Sequence, residues 1–213
     1  MKQLFPGVFN DGNRIYTVNL TPGKNVYNER LIDDKREWDP KRSKLGAAIV
    51  NGIKEMPIKQ DSIVLYLGAS TGTTISHVSD IIGKNGFVYG IEFAERVLRS
   101  LIDLANQRRN MAALKADARK PESYRWIEEC DVVFCDVAQP DETEIALRNC
   151  KVFLKKGGYL LISIKSQSID VTKKPKEIYE QEKRKVEKAG FSVLQMIDLE
   201  PHEEKHAMLL ARM

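Results

Sequence analysis

The stretch IVLYLGASTGTTISHVSD, Ile63–Asp80, reads as a strand, a Gly/Ser/Thr turn and a helix. A βα unit of this kind holds a nucleotide at its turn, and the turn excludes two of the common ones. The P-loop pattern G-x-x-x-x-G-K-[ST] requires glycine and lysine where this chain has Thr73 and Thr74. The dinucleotide pattern G-x-G-x-x-G requires glycine where it has Ser70. Gly68 and Gly72 keep the turn tight, but neither phosphate cradle is present. The turn therefore suits a ligand with an adenosine and no pyrophosphate.

Outward from this unit, strands and helices alternate. The spacing predicts strands at Ile63–Leu67, Phe87–Glu92, Ala113–Ala116, Asp131–Asp136, Gly158–Lys165, Phe191–Asp198 and Ala207–Arg212. It predicts helices at Ser43–Met56, Thr73–Ile82, Ala94–Gln107, Glu142–Leu154 and Lys176–Lys188. Strands such as DVVFCD and YLLISIK are nearly continuous apolar runs, as expected where both sheet faces are covered. The link EPHEEKH is too short for a parallel crossover, so the last two strands should pair antiparallel. An α/β fold results: a doubly wound, mostly parallel sheet of seven strands with one antiparallel strand, as in the Rossmann-like class I methyltransferases. The first part of the chain differs. Turn signals at Pro6-Gly7, Asp11-Gly12 and Pro22-Gly23 separate short β-prone runs such as Arg14–Leu20, so a small N-terminal β-hairpin domain is expected to pack on the rest of the chain. The expected division is residues 1–56 for the hairpins and connecting helix, and 57–213 for the α/β domain.

Bulk properties narrow the classes. A chain of 213 residues is long enough for one α/β domain with a small addition. A net charge of +4 permits a nucleic-acid partner without demanding one. Cys130, Cys135 and Cys150 have no C-x-x-C spacing, which argues against a disulfide framework or a zinc site and for reduced, buried thiols in a cytoplasmic protein. No signal peptide and no membrane span is expected, and no His/Cys/Asp cluster has metal-ligand spacing.

Ligands of open α/β sheets sit at the carboxyl ends of the strands. This chain places there Gly68 with Thr73 and Thr74, then Glu92 with Phe93, Asp117, Asp136 with Gln139, and Lys165. Each has an ordinary structural explanation: a tight turn, a solvated strand end, a cap on the next segment. Acids ending three successive strands after a glycine turn are a different matter. Glu92, roughly 20 residues past the turn, is placed to accept from ribose hydroxyls and disfavours a 2′-phosphorylated cofactor. Asp117 suits an adenine amino group. S-adenosylmethionine fits this set, because its sulfonium tolerates carboxylates. Lys165, ending an apolar strand, needs either a salt bridge to Asp136 or a task as proton acceptor. Lys44, at the start of the preceding helix, is a candidate second cation.

Together DPKRSKLGAAI, YLGASTGTTISHVSD, GIEFAERVLRSL, DVAQPD, SIKSQSID and EPHEEKHAMLL resemble the fibrillarin family over essentially the whole chain. Eukaryotic members carry a Gly/Arg-rich tail that this chain lacks, so it is similar to the archaeal form. The resemblance implies RNA-guided ribose 2′-O-methylation of rRNA and tRNA with S-adenosylmethionine. It implies cofactor contacts at Gly68, Thr73, Thr74, Glu92, Phe93, Asp117, Ala118, Asp136, Val137, Ala138 and Gln139. It further implies a catalytic tetrad at Lys44, Asp136, Lys165 and His206, the last standing where related 2′-O-methyltransferases have Glu. Implied partners are a box C/D guide RNA, its target RNA, a scaffold protein of the Nop family and a kink-turn-binding ribosomal-type protein; a homodimer is compatible with it. Two rival readings are a methyltransferase acting on a protein glutamine, as eukaryotic members do on a histone, and a non-catalytic RNA-binding subunit. The KKPKEIYEQEKRKVEKAG segment offers the latter little, since its Glu and Lys residues interleave at helical spacing as on a solvated face.

Overall fold

The computed structural model describes every residue except Asn13. Five short strands come first: β1 (Lys2–Phe5), β2 (Val8–Asn10), β3 (Ile15–Val18), β4 (Leu31–Ile32) and β5 (Lys35–Trp38). They form an antiparallel sheet in the order β1-β2-β3-β5-β4. After α1 (Lys44–Val50) the chain alternates as expected: β6 (Ile63–Leu67), α2 (Thr73–Ile82), β7 (Phe87–Glu92), α3 (Glu95–Ala105), β8 (Met111–Lys115), β9 (Cys130–Cys135) and α4 (Glu142–Phe153). It ends with β10 (Leu154–Lys165), α5 (Ser166–Ile169), α6 (Pro175–Lys188), β11 (Ser192–Asp198) and β12 (His206–Arg212). The large sheet has seven strands in the order β11-β12-β10-β9-β6-β7-β8. Chain order reverses at β6, between β9 and β7, and that reversal opens a crevice at the carboxyl ends of the strands.

The final strands do pair antiparallel, β11 with β12. β12 inserts between β10 and β11 instead of lying at the sheet edge. The helix expected over Ser43–Met56 is shorter, and its end has a clear cause. Gly52 is left-handed (φ +89°); its N–H bonds to the Ile49 carbonyl and that of Ile53 to the Ala48 carbonyl. That is a Schellman stop, with glycine at the one position where a side chain would strain the backbone. Ile53 and Met56 are buried all the same, so the apolar period continues past the helix.

The N-terminal sheet adds its apolar side chains to the core of the large sheet: Val8, Ile15 and Trp38 share a cluster with Val64, Tyr66, Ile75 and Val78. Polar groups complete the attachment. Asp80 on α2, fully buried, accepts from Arg36 Nε (2.5 Å), Arg108 (2.7 Å), Thr17 Oγ1 (2.9 Å) and the Leu20 N–H (3.2 Å). Arg36 also reaches Glu29 (2.7 Å) and Ser76 (2.6 Å). Buried charges persist only when paired and hydrogen-bonded in this way. His77 stacks on Trp38 with centroids 4.6 Å apart and lies 2.8 Å from both Thr17 Oγ1 and the Tyr27 hydroxyl. Burial, then the nearby Arg36 and Arg108, push its pKa well below the usual imidazole range, so it is neutral. All three cysteines are free and buried, as expected. Among the described residues no helix is long and apolar enough to cross a membrane.

Candidate active site

Gly68 ends β6 with φ +81°, and a Cβ there would lie 2.6 Å from the Asp136 carbonyl oxygen. Only glycine lets the turns after β6 and β9 approach this closely. Ser70 is also left-handed (φ +50°). The turn is fastened from β7: Glu92 accepts from the Ser70 N–H (2.8 Å) and from the Ala94 N–H (2.8 Å). Each carboxylate oxygen accepts one of these bonds and retains further acceptor capacity, and Glu92 lines the crevice.

Two cavities of about 260 Å³ each open here, sharing Gly68, Ser70 and Asp136. The first is walled by Glu92, Phe93, Asp117, Ala118 and the run Asp136, Val137, Ala138 and Gln139. Phe93 is 69% exposed, a flat apolar ring at the rim, and among the described residues no aromatic ring stacks on it. The second holds Lys44, Thr73 and Thr74. All eleven residues expected to hold a cofactor therefore line one continuous trough. Two are partly committed elsewhere. The buried Thr74 hydroxyl donates to Ser43 Oγ (2.9 Å), and Asp117 caps the Arg119 N–H (2.9 Å) while still lining the trough.

Of the four expected catalytic residues, Lys44 and Asp136 line the second cavity, while Lys165 and His206 pair on the neighbouring strands and line neither cavity; the pairings differ from those anticipated. Asp136 pairs with Lys44 (3.0 Å) and accepts from the Tyr66 hydroxyl (3.3 Å). A salt bridge between Lys165 and Asp136 is absent among the described residues. The reason is topological: Lys44 projects from the first turn of α1 directly over the end of β9, whereas Lys165 belongs to the longer β10. Burial alone would lower the Lys44 ammonium; the Asp136 carboxylate more than offsets it and raises its pKa. Lys165 sits half-buried at the end of β10, directly opposite His206 across the β10–β12 ladder. His206 Nδ1 lies 2.7 Å from the Glu204 carbonyl, which can only accept, so Nδ1 carries the proton and Nε2 is a bare lone pair. Burial lowers the His206 pKa, and the cations Lys44 and Lys165 lower it further. His206 is thus a neutral acceptor beside two lysines, a role a carboxylate could also fill.

Sequence reasoning missed Tyr66 and Arg119. Tyr66 is the only polar-tipped side chain in IVLYL, one residue before the strand's end, and that was a readable signal. Arg119 spans the rim to Gln139 (2.5 Å) and Asp141 (3.4 Å), which no local pattern announces.

The family model described as Fibrillarin matches residues 1–213. This chain belongs to the fibrillarin family. It is 51% identical over 211 residues to the fibrillarin-like rRNA/tRNA 2′-O-methyltransferase of Sulfolobus acidocaldarius, covering 96% of this chain and 91% of that one. The Methanococcus jannaschii fibrillarin, a pre-rRNA processing protein, superposes with a TM-score of 0.93 at 47% identity over 99% of this chain and 96% of that one. Aeropyrum pernix fibrillarin, solved with natively bound S-adenosyl-L-methionine, gives 0.86 at 45% identity over 93% and 88%. The fibrillarin chain of a fibrillarin/Nop5p complex gives 0.91 at 34% identity over the full length of both. These fibrillarins share the fold of this chain over 93–100% of its length.

Proposed function

We propose that this fibrillarin is an S-adenosylmethionine-dependent rRNA/tRNA ribose 2′-O-methyltransferase, the catalytic subunit of a box C/D ribonucleoprotein. The observation that carries the reading is the trough that runs from Glu92, Phe93 and Asp117 to the Lys44–Asp136 ion pair, with Lys165 and His206 paired on the neighbouring strands β10 and β12. The residues fit the donor. Glu92 offers acceptors for a ribose diol, Phe93 a face for adenine, Asp117 an acceptor for its amino group, and the close approach at Gly68 leaves the floor open. When bound, S-adenosylmethionine supplies an electrophilic methyl group on a sulfonium. Residues 57–213 carry this donor trough, and residues 1–56 add Lys44 to it.

Lys165 receives the proton of the target 2′-hydroxyl, since a ribose oxygen is a poor nucleophile until that proton is taken or polarised. Asp136 fixes Lys44 by its ion pair, and Lys44 holds the substrate ribose. His206, neutral, accepts through Nε2 beside Lys165. Holding both reactants in line accounts for much of the acceleration, about 7–11 kcal/mol for well-oriented groups. The likeness to a fibrillarin solved with Nop5p supports a Nop-family scaffold as partner. A guide RNA then selects the nucleotide by base pairing, and a kink-turn-binding protein completes the particle, which resides in the cytoplasm.

The test is reconstitution with scaffold, kink-turn protein and a designed guide, followed by mapping of methylated riboses. Moving the guide sequence by one nucleotide should move the methyl group by one nucleotide. A methyl group that stays in place, or appears without the guide, contradicts the RNA-guided reading.

A further inference from the structure

Lys165 has a backbone problem that the sheet does not solve. The parallel β9–β10 ladder ends at the pair Cys135 and Ile162, because the chain leaves the sheet at Asp136 to build the trough wall. β10 runs on for three more residues, Ser163, Ile164 and Lys165, without a strand on that side. The Lys165 N–H would be left without a partner there, a state buried backbone avoids. It donates instead to Glu142 Oε1 at 3.0 Å. Glu142 opens α4, its side chain fully buried. On the other side the next residue is held by the Lys205 carbonyl, which accepts from the Ser166 N–H (3.2 Å) and Oγ (3.0 Å). The end of β10 is thus clamped from both edges, and Glu142 substitutes for the missing strand.

The far oxygen of Glu142 has no hydrogen-bond partner among the described residues. Neither does the far oxygen of Glu182, buried on α6, which packs on α4; its other oxygen pairs with Lys185 at 2.9 Å. Two buried carboxylates with unsatisfied oxygens would repel, and a proton on Glu142 removes the conflict. Burial pushes its pKa up to about 9 despite the Lys165 N–H bond; the Glu182 and Asp136 carboxylates add to the rise, and Lys44 opposes it. A neutral Glu142 still accepts from the Lys165 N–H through one oxygen, and it has a proton to donate through the other.

We infer that Glu142 is a positioning residue for methyl transfer, fixing the backbone at Lys165 and thereby the point from which the Lys165 side chain enters the site. This rests on the proton-accepting role given to Lys165 above. Glu142→Gln preserves both an acceptor oxygen and a neutral donor, whereas Glu142→Leu removes both at similar volume. In the assembled particle, Glu142→Gln should keep kcat within a few-fold of the wild-type value. Glu142→Leu should lower kcat on the order of 10²-fold, the cost of a misplacement near one ångström, with S-adenosylmethionine affinity unchanged. Amide hydrogen exchange at Lys165 adds a readout that needs no leucine variant: the N–H should be protected in both the wild type and Glu142→Gln. Exchange as fast as in an exposed loop, full kcat in Glu142→Leu, or equal losses of kcat and cofactor affinity would each overturn the inference. If Lys165→Ala itself leaves transfer intact, the functional reading fails. If Lys165→Ala abolishes transfer and Glu142→Leu does not slow it, only the positioning role fails.

Discussion

Replacing Asp80 by alanine should cost about 3–5 kcal/mol of stability, the range for removing one member of a buried charge network. Asp80 lies 28 residues before Arg108 and 44 after Arg36, and both guanidinium groups end on its carboxylate. Without it, Arg36 keeps Glu29 as its one paired carboxylate and Arg108 keeps none among the described residues. Thr17 and the Leu20 N–H lose their acceptor in the same step. His77 cannot compensate, since it is neutral and already engaged by Thr17 and Tyr27. For a chain of this size the loss corresponds to roughly 10 °C in Tm. Urea and thermal denaturation of the variant check this. A loss below about 1 kcal/mol, the level of an exposed pair, would show that the network does not hold the N-terminal sheet.

Lys165→Ala should abolish methyl transfer, with a loss of at least about 10²–10⁴-fold, the usual share of a positioned proton acceptor. Binding of S-adenosylmethionine should remain nearly intact, because the trough's adenosine half lies across Asp136 from Lys165 and does not include it. Single-turnover transfer by the reconstituted particle and calorimetric titration of the cofactor measure the two quantities separately. A variant that transfers near the wild-type rate would remove Lys165 from the mechanism. Loss of both rate and cofactor affinity would recast it as part of the donor pocket.

Most of the fold was legible because helical and strand periods in this chain agree with the local punctuation. Strands Ile63–Leu67 and Phe87–Glu92 and helix Thr73–Ile82 lie where the spacing puts them. The period misled at Ser43–Met56, where Ile53 and Met56 are buried for tertiary reasons after Gly52 has ended the helix. The site was legible as an inventory, since ligand contacts gather at strand ends and strand ends can be read. Its pairings were not. Whether Asp136 meets Lys44 or Lys165 depends on how far β10 outruns β9 and where α1 lies, and neither is local. The same holds for His77 and Asp80: they stand in the stretch that signals the cofactor turn, yet their side chains face the N-terminal sheet and fasten it. A motif that looks like one function here serves two: the turn and first residues of α2 line the trough, and His77 and Asp80 further along the helix fasten the N-terminal sheet.

The central act assigned to this chain is transfer of a methyl group from S-adenosylmethionine to a ribose 2′-oxygen. The most direct measurement supplies the reconstituted particle with methyl-tritiated donor and two guide-matched RNAs, one unmodified and one with a single 2′-deoxy nucleotide at the target. Label is expected in the first RNA and none in the second. Equal label in both RNAs, or label found only in protein, would contradict that assignment.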